Sequence, residues 1–253
     1  MKKGDFSNLA IDYAKYRPSY NVDVVNTILG AIKTPLEKVA AADVGAGTGI
    51  FTKCLRNGGI RDIVAVEPNY NMRQAGEAFL NHKVKFINGS AEYTHLEPNR
   101  YDLVTMASAF HWPNTQDALT EFDRILNKGG IFSALWNPRL TERSTIESKV
   151  QNLLIDKYNL KSRVSSGLSG ITEELEDILT KSGFFRSISY VDSIDIVRRS
   201  HNEYIGAWRS VNDIQVQLGK DKFIEFLYDV GVIIKDYPDV EVHYLTRAWI
   251  AEK

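Results

Sequence analysis

The fold of this 253-residue chain is decided by the stretch Asp43-Val44-Gly45-Ala46-Gly47-Thr48-Gly49. A short apolar run, residues 39–44, leads into it, and residues 50–56 have the pattern of a helix. Glycine at three alternate positions lets the backbone turn sharply and lets a ligand approach with no Cβ in the way. The free N–H groups at the start of the following helix suit an anionic or polar ligand group. The stretch therefore predicts a strand, a ligand-binding loop and a helix.

Strand and helix patterns alternate on the carboxyl side of this loop. The predicted strands are residues 39–44, 63–66, 84–87, 101–106 and 131–136, and the predicted helices are residues 50–56, 72–80 and 115–126. Lys128-Gly129-Gly130 is expected to end the last of these helices. Helices of about ten residues between strands imply right-handed βαβ units, and almost wholly apolar strands are typical of a parallel sheet covered on both faces. Residues 39–136 therefore predict a doubly wound α/β unit.

The pattern changes after Trp136. Helices are predicted at residues 146–158, 172–181, 201–208 and 221–230, and strands at residues 187–197 and 240–251. Residues 162–170 are small and polar, and they predict a mobile loop. The second half of the chain is thus expected to add helices and two more strands to the α/β unit.

Composition excludes several functional classes. Lys and Arg total 31 against 32 for Asp and Glu, and a net charge of −1 argues against a dedicated nucleic-acid binder. A single cysteine, Cys54, excludes an intramolecular disulfide and a Cys-based zinc site, and the scattered histidines predict no metal site. The first residues lack an apolar signal region, and no apolar run approaches the ~20 residues of a membrane span. These features predict a soluble, cytoplasmic protein without a membrane or nucleic-acid partner.

The glycine spacing separates two kinds of nucleotide site. The dinucleotide fingerprint Gly-x-Gly-x-x-Gly requires a sixth-position glycine, but that position is Ile50 counted from Gly45 and Thr52 counted from Gly47. The third glycine instead comes early, and Asp43 precedes the loop. Asp-x-Gly-x-Gly-x-Gly after a first strand resembles the first motif of class I S-adenosylmethionine (SAM)-dependent methyltransferases. A nicotinamide oxidoreductase shares the sheet and stays an alternative, which tight NADH binding would favour.

The resemblance continues along the chain. Residues 64–68, Val-Ala-Val-Glu-Pro, look like the second strand of that family, which implies that Glu67 binds both ribose hydroxyls. A carboxylate can accept two hydrogen bonds from a cis-diol. Residues 89–92 resemble the turn that contacts the adenine edge, although family members often carry Asp in place of Ser90. The cofactor-binding residues implied by the resemblance are Asp43, Gly45, Ala46, Gly47, Thr48, Gly49, Glu67, Pro68, Met72, Ser90, Ala91, Glu92, Ala107 and Ser108.

Aromatic segments predict the acceptor side of the site. Residues 13–20, Tyr-Ala-Lys-Tyr-Arg-Pro-Ser-Tyr, resemble the lid of small-molecule methyltransferases of the type 11, trans-aconitate-like group. Phe110-His111-Trp112 and Trp208-Arg209-Ser210 resemble the same group. A substrate pocket is therefore expected at Tyr13, Tyr16, Arg17, Phe110, His111 and Trp112. His111 is a candidate general base, because a neutral histidine titrates near working pH, and packing between its aromatic neighbours is the alternative.

The resemblance also implies an architecture and a reaction. It implies a Rossmann-like, mostly parallel seven-stranded sheet with an N-terminal helical cap and an insert after the fifth strand. One domain over residues 1–253 would comprise a lid and helix (1–36), a SAM-binding core (37–136), a helical insert with the following helix (137–186), and C-terminal strands with a helical insertion (187–253). The sulfonium methyl of SAM would pass to a small-molecule acceptor by in-line displacement, leaving S-adenosylhomocysteine (SAH). A nucleic-acid methyltransferase and a non-catalytic SAM sensor stay open as alternatives.

Overall fold

A computed structural model of the chain describes residues 10–160, 167–168 and 170–253, which contain a seven-stranded sheet. The strands are β1 (Ala40–Val44), β2 (Asp62–Val66), β3 (Lys85–Ile87), β4 (Tyr101–Ala107), β5 (Leu126–Trp136), β6 (Ser187–Arg199) and β7 (Val240–Glu252). The helices are α1 (Ala10–Tyr16), α2 (Val22–Gly30), α3 (Ile50–Asn57), α4 (Tyr70–Phe79), α5 (Thr115–Ile125), α6 (Thr145–Asp156), α7 (Ile171–Ser182), α8 (His201–Arg209), α9 (Asn212–Leu218) and α10 (Lys220–Ile234). Most of the predicted mobile loop lies outside the described residues. Among the described helices, none is both long and apolar enough to cross a membrane.

The order of the strands places the site. The sheet runs β3-β2-β1-β4-β5-β7-β6, with β1 to β5 parallel and β7 antiparallel to both of its neighbours. The predicted doubly wound α/β sheet is thereby confirmed. The chain moves outward from β1 to β3 and then returns to β4 on the other side of β1, so the strand order reverses between β1 and β4. Ligands of open α/β sheets bind beside the carboxyl ends of the strands at such a point.

Asparagine caps begin the two helices that flank the site. The Asn69 Oδ1 atom accepts the N–H groups of Asn71 and Met72 at the start of α4. The Asn114 side chain accepts the N–H of Asp117 and begins α5, as its position before the helix predicts. These caps fix where α4 and α5 begin in the connections that follow β2 and β4.

The structure differs from the sequence expectations at two places, one a wrong prediction and one an unpredicted helix. Lys128-Gly129-Gly130 does not end α5, because the helix already stops at Ile125 and β5 begins at the next residue. The glycines lie inside β5, where Gly129 has φ +78° and its N–H donates to the Lys253 carbonyl. The register of β5 against β4 shifts at this point, so the extra residues form an irregularity in the strand rather than a turn. The second difference is α9, which the pattern analysis did not predict.

The buried side chains form three apolar clusters. Neighbours on β1 such as Ala41 and Ala42 enter different clusters, so these two cores lie on opposite faces of the sheet. The third cluster joins α6, α8 and α10 to the first half of β7 and includes Trp208, Phe226 and Tyr244. Helices α6, α8 and α10 are thus packed on the sheet through a core of their own, whereas α7 contributes Leu175 and Leu179 to one of the two cores on the sheet faces.

Candidate functional site

A cavity of about 450 Å³ lies beside the glycine loop, at the carboxyl ends of β1, β2 and β4. Fourteen of the residues singled out in the sequence line it, namely Tyr13, Arg17, Gly45, Ala46, Gly47, Glu67, Pro68, Met72, Ser90, Ala91, Glu92, Ala107, Ser108 and Trp112. Its volume is within the range that small-molecule ligands occupy. The structure therefore brings the glycine loop, the ends of the next strands and part of the aromatic lid to one place.

The glycine loop is held against the end of β2. The N–H groups of Gly45 and Ala46 donate to the Val66 carbonyl at 2.8 and 3.1 Å. Gly45 has φ +67°, and a Cβ at this position would lie 2.8 Å from the Ala109 side chain. A side chain would therefore be both strained and crowded at Gly45.

Glu67 joins this loop to the start of α4. Its Oε2 atom accepts the N–H of Gly47 at 2.9 Å, and its Oε1 atom accepts the N–H of Asn69 at 2.9 Å. Burial raises the pKa of Glu67, and the two backbone hydrogen bonds oppose that shift. Each carboxylate oxygen has a second lone pair, so the group can still accept hydrogen bonds from a ligand in the cavity.

Asp43 lies beneath the loop and does not line the cavity. Its side chain is fully buried and accepts hydroxyl hydrogen bonds from Thr52 on α3 at 2.6 Å and from Thr105 on β4 at 2.9 Å. Burial raises the pKa of Asp43 to about 6. Thr48 and Gly49 also lie outside the cavity lining, at the start of α3. Asp43 therefore joins α3 to β4 beneath the loop, whereas Thr48 and Gly49 lead from the loop into α3.

Three residues expected in the substrate pocket do not line the cavity. Phe110 is fully buried in the core, with its ring centre 5.3 Å from that of Phe132. Tyr16 packs against α8, where a Cβ on Gly206 would lie 2.7 Å from its ring. The Nδ1 atom of His111 accepts a hydrogen bond from the Trp136 indole N–H at 3.3 Å, and burial lowers the pKa of His111 to about 4.

Two residues that line the cavity, Tyr20 and Asn137, were not among the site residues expected from the sequence. The Tyr20 hydroxyl lies 3.0 Å from Ser108 Oγ, and the Tyr20 ring packs edge-on against Phe51. The Asn137 amide donates to the Ser19 carbonyl at 2.8 Å. Tyr20 was part of the lid segment. Asn137 directly follows β5, and it could have been predicted because ligands of open α/β sheets bind at the carboxyl ends of the strands.

Arg17 joins the two segments that resemble the same methyltransferase group. Its Nη2 atom donates to the Ser210 carbonyl at 3.3 Å, and its guanidinium lies 4.8 Å from the centre of the Tyr13 ring. The buried Nε atom has no hydrogen-bond partner. Among the described residues that line the cavity, Arg17 is the only cation, so it is the group there that can attract an anion.

Other described residues complete the lining of the cavity. They are Pro18, Ile50, Asn69, Met106, Ala109 and Pro113. Within the part of the chain that the structure describes, no group of three or more His, Cys, Asp or Glu side chains is placed to hold a metal ion.

The chain is similar in sequence to known methyltransferases. Residues 42–134 match the family model of a methyltransferase domain. An uncharacterized methyltransferase of Mycobacterium tuberculosis is 35% identical over 127 residues, which are 50% of this chain and 49% of that protein. A "probable S-adenosylmethionine-dependent methyltransferase" of Saccharomyces cerevisiae is 29% identical over 145 residues, 54% of this chain and 48% of that protein. These matches span about half the length of the two relatives.

Two further comparisons cover nearly the whole chain. An uncharacterized methyltransferase of Schizosaccharomyces pombe is 26% identical over 259 residues, which cover 96% of this chain and 94% of that protein. A solved structure from Anaeromyxobacter dehalogenans, described as a candidate type II methyltransferase, has a TM-score of 0.65 at 18% identity and covers 94% of this chain and 97% of its own. The sheet order, the glycine loop and these matches agree: residues 42–134 match a methyltransferase domain, and the chain as a whole is similar to methyltransferases in sequence and in fold.

Proposed function

We propose that this protein transfers the sulfonium methyl group of SAM to a small-molecule acceptor by in-line displacement and releases SAH. The observation that carries the proposal is the Glu67 carboxylate, which is fixed by the N–H groups of Gly47 and Asn69 at the edge of the cavity. A buried carboxylate with free lone pairs beside a glycine loop is suited to the cis-diol of a ribose.

The residues that would hold the cofactor form a continuous wall. Glu67 would bind the ribose, and the turn of Ser90, Ala91 and Glu92 would contact the adenine edge. The glycine loop leaves room for the ligand because its residues carry no large side chain. SAM supplies an activated methyl group on a positively charged sulfur. The described lining has no second cation besides Arg17, so this positive charge meets little repulsion.

The acceptor side is aromatic and covered. Tyr13, Tyr20 and Trp112 line the cavity, and an aromatic face near a cation is worth about 0.5–2 kcal/mol. The hydrogen bonds of Tyr20 and Asn137 hold the lid segment over the cavity. A cavity of about 450 Å³ that is partly closed by this segment is suited to a small acceptor rather than to a polymer. Holding the acceptor in line with the methyl group can supply roughly 7–11 kcal/mol of the barrier reduction.

We do not assign the role of general base to His111. Its ring lies outside the cavity lining, and its Nδ1 lone pair already accepts the Trp136 N–H. A pKa of about 4 makes the imidazole a weak base at neutral pH. Under the proposed function, His111 positions Trp112 and Trp136, whose rings lie 4.8 and 6.4 Å from its own.

The cofactor part of the proposal is tested by calorimetric titration with SAM and SAH on wild type and Glu67→Ala. We expect micromolar binding to wild type and at least a tenfold loss in the variant, about 1.4 kcal/mol, because the ribose loses its acceptor. Glu97→Ala, at an exposed position outside the cavity lining, is the matched control and should bind as wild type does. Tight NADH binding with no SAH binding would instead support an oxidoreductase.

The transferase part is tested by measuring SAH release with a panel of small acceptors and with RNA and DNA. Release with at least one small acceptor is expected. Release only with a nucleic acid would overturn the acceptor class. Intact SAM binding without release across the panel would support the non-catalytic SAM sensor.

A further inference from the structure

The turn after β3 is tied to α5 at two points. Its residues Ser90 to Glu92 line the cavity. At one point, the Glu92 Oε1 atom accepts the N–H of Asn114, the residue that caps α5, at 3.0 Å. At the other, residues 94–96 contact side chains from the last two turns of the same helix. The wall of the cavity on this side therefore depends on α5, which itself does not line the cavity.

Glu121 on α5 makes the second connection. It is 6% exposed, and its Oε1 atom accepts both the N–H of Thr94, at 2.9 Å, and the Thr94 hydroxyl. Arg124 donates to both carboxylate oxygens at 2.7 Å and to the Leu96 carbonyl at 2.8 Å. Burial raises the pKa of Glu121, but the hydrogen bonds from Arg124 and Thr94 outweigh burial and leave it below its usual value. Glu121 is therefore an ionised, fully partnered acceptor.

The segment that Glu121 and Arg124 hold is strained. His95, between Thr94 and Leu96, has φ +61°, a left-handed conformation that is unfavourable for a residue other than glycine. Both neighbours of His95 are anchored to α5, and such a conformation persists only where the surroundings determine it. Without the anchors, the segment would relax toward ordinary backbone angles.

The strained segment also packs closely against Gly89, the residue at which the turn begins. A Cβ on Gly89 would lie 2.9 Å from the Thr94 carbonyl oxygen and 2.8 Å from the Val66 side chain. Thr94 is thus packed on the residue that begins the turn, one position before Ser90. A shift of Thr94 would move the turn relative to the end of β2, where Glu67 lies.

We propose that Glu121 is a positioning residue for cofactor recognition: through Thr94, it fixes the turn of Ser90 to Glu92 in the geometry that reads the adenine edge. The proposal rests on the proposed function, since it requires SAM to bind with its base at this turn. Glu121 touches neither cofactor nor acceptor. Its effect is on how selectively the base is recognised.

The test compares SAH with S-inosylhomocysteine, in which an oxygen replaces the exocyclic amine of adenine. Wild type should prefer SAH, and in Glu121→Gln this preference should fall about tenfold, the value of roughly one aligned hydrogen bond. Both affinities are measured by calorimetry below the melting temperature of each variant. A merely structural role would lower the melting temperature but leave the ratio of the two affinities among folded molecules unchanged, and that result would overturn the proposal.

Two further variants complete the test. Thr94→Val removes the hydroxyl but keeps the backbone N–H that Glu121 accepts, so the preference should fall by a smaller factor; this variant decides the matter if Glu121→Gln does not fold. Asp117→Asn removes an exposed charge from the same helix and should keep the wild-type preference. Failure of wild type to bind SAH would overturn the proposed function itself. Binding that depends on Glu67, with an unchanged preference in Glu121→Gln and Thr94→Val, would overturn this inference alone.

Discussion

At the scale of single residues, Asp43 and Glu67 are two carboxylates next to the glycine loop that have different surroundings. Both oxygens of Asp43 accept threonine hydroxyls inside the core, whereas both oxygens of Glu67 accept backbone N–H groups at the edge of the cavity. Burial raises the pKa of each. From this difference in exposure to the cavity, we propose that Asp43 supports the loop and that Glu67 binds the ligand.

Asp43→Asn should change how stability depends on pH. In the folded protein the pKa of Asp43 is raised from 3.8 to about 6, so the folded state binds more protons than the unfolded state between these values. The wild-type free energy of unfolding should therefore fall, relative to the variant, as pH rises from about 4 through 6. The expected change is of the order of 3 kcal/mol, from the linkage of pKa to stability. Urea unfolding of both proteins at pH 4, 5, 6 and 7 measures it, and a pH-independent difference would contradict it.

The glycine loop and Glu67 could be predicted because neighbouring strands fix their relation. β1 and β2 pair in parallel, and Val44 is opposite Val66, so the loop after one strand necessarily lies beside Glu67 after the other. Phe110 could not be predicted in the same way. Ser108, at the end of β4, has φ +54°, so the alternation of side chains along the strand does not continue to Phe110. Its burial in the core follows from packing that the sequence pattern does not record.

At the scale of elements, a buried ion pair joins the chain after β5 to α6. Arg139 lies 3.5 Å from Glu147, whose side chain is 1% exposed and also accepts the Tyr204 hydroxyl. The Arg139 guanidinium is 4.3 Å from the centre of the Trp208 ring. Since Tyr204 and Trp208 belong to α8, these contacts connect two helices of the third core to the end of the sheet.

Removing one partner of this pair should be costly. Glu147→Leu would leave Arg139 charged and largely buried without its carboxylate partner, and we expect a loss of about 3–5 kcal/mol of unfolding free energy. Arg139→Met combined with Glu147→Leu should recover most of that loss, because no charge is then left unpaired. The exposed pair Lys181 and Asp177 is the control, and breaking it with Asp177→Ala should change stability by at most about 1 kcal/mol. Equal losses in the single and double variants at Arg139 and Glu147 would contradict the expectation.

Most elements could be predicted because each carries its own pattern, as α7 does with apolar spacing and Gly183 at its end. The start of β5 could not, since Gly129 and Gly130 are ordinary helix-end signals, and only pairing with β4 and the contact to Lys253 place them in a strand. The short helix α9 could not be predicted, because its seven residues form too few turns to show a periodic pattern.

At the scale of the whole molecule, β7 connects all three cores. Its first half contributes Val242 and Tyr244 to the third core, and its second half contributes Trp249 to one face of the sheet and Ile250 to the other. β7 also pairs with both β5 and β6. We therefore propose that the four parts expected from the sequence, from the lid to the C-terminal strands, form one cooperative domain.

A cooperative domain should unfold in one step wherever its core is weakened. Leu119→Ala in the core on one face of the sheet and Leu154→Ala in the third core each remove a buried side chain, which costs about 2–5 kcal/mol. Each variant should show a single urea transition at a lower midpoint, with circular dichroism and tryptophan fluorescence coinciding. Trp208 reports on the third core and Trp136 and Trp249 on the first, so fluorescence follows both. Leu154→Ala could instead show two separated transitions, with the third core lost first. That result would show that the helices of the third core unfold independently of the sheet.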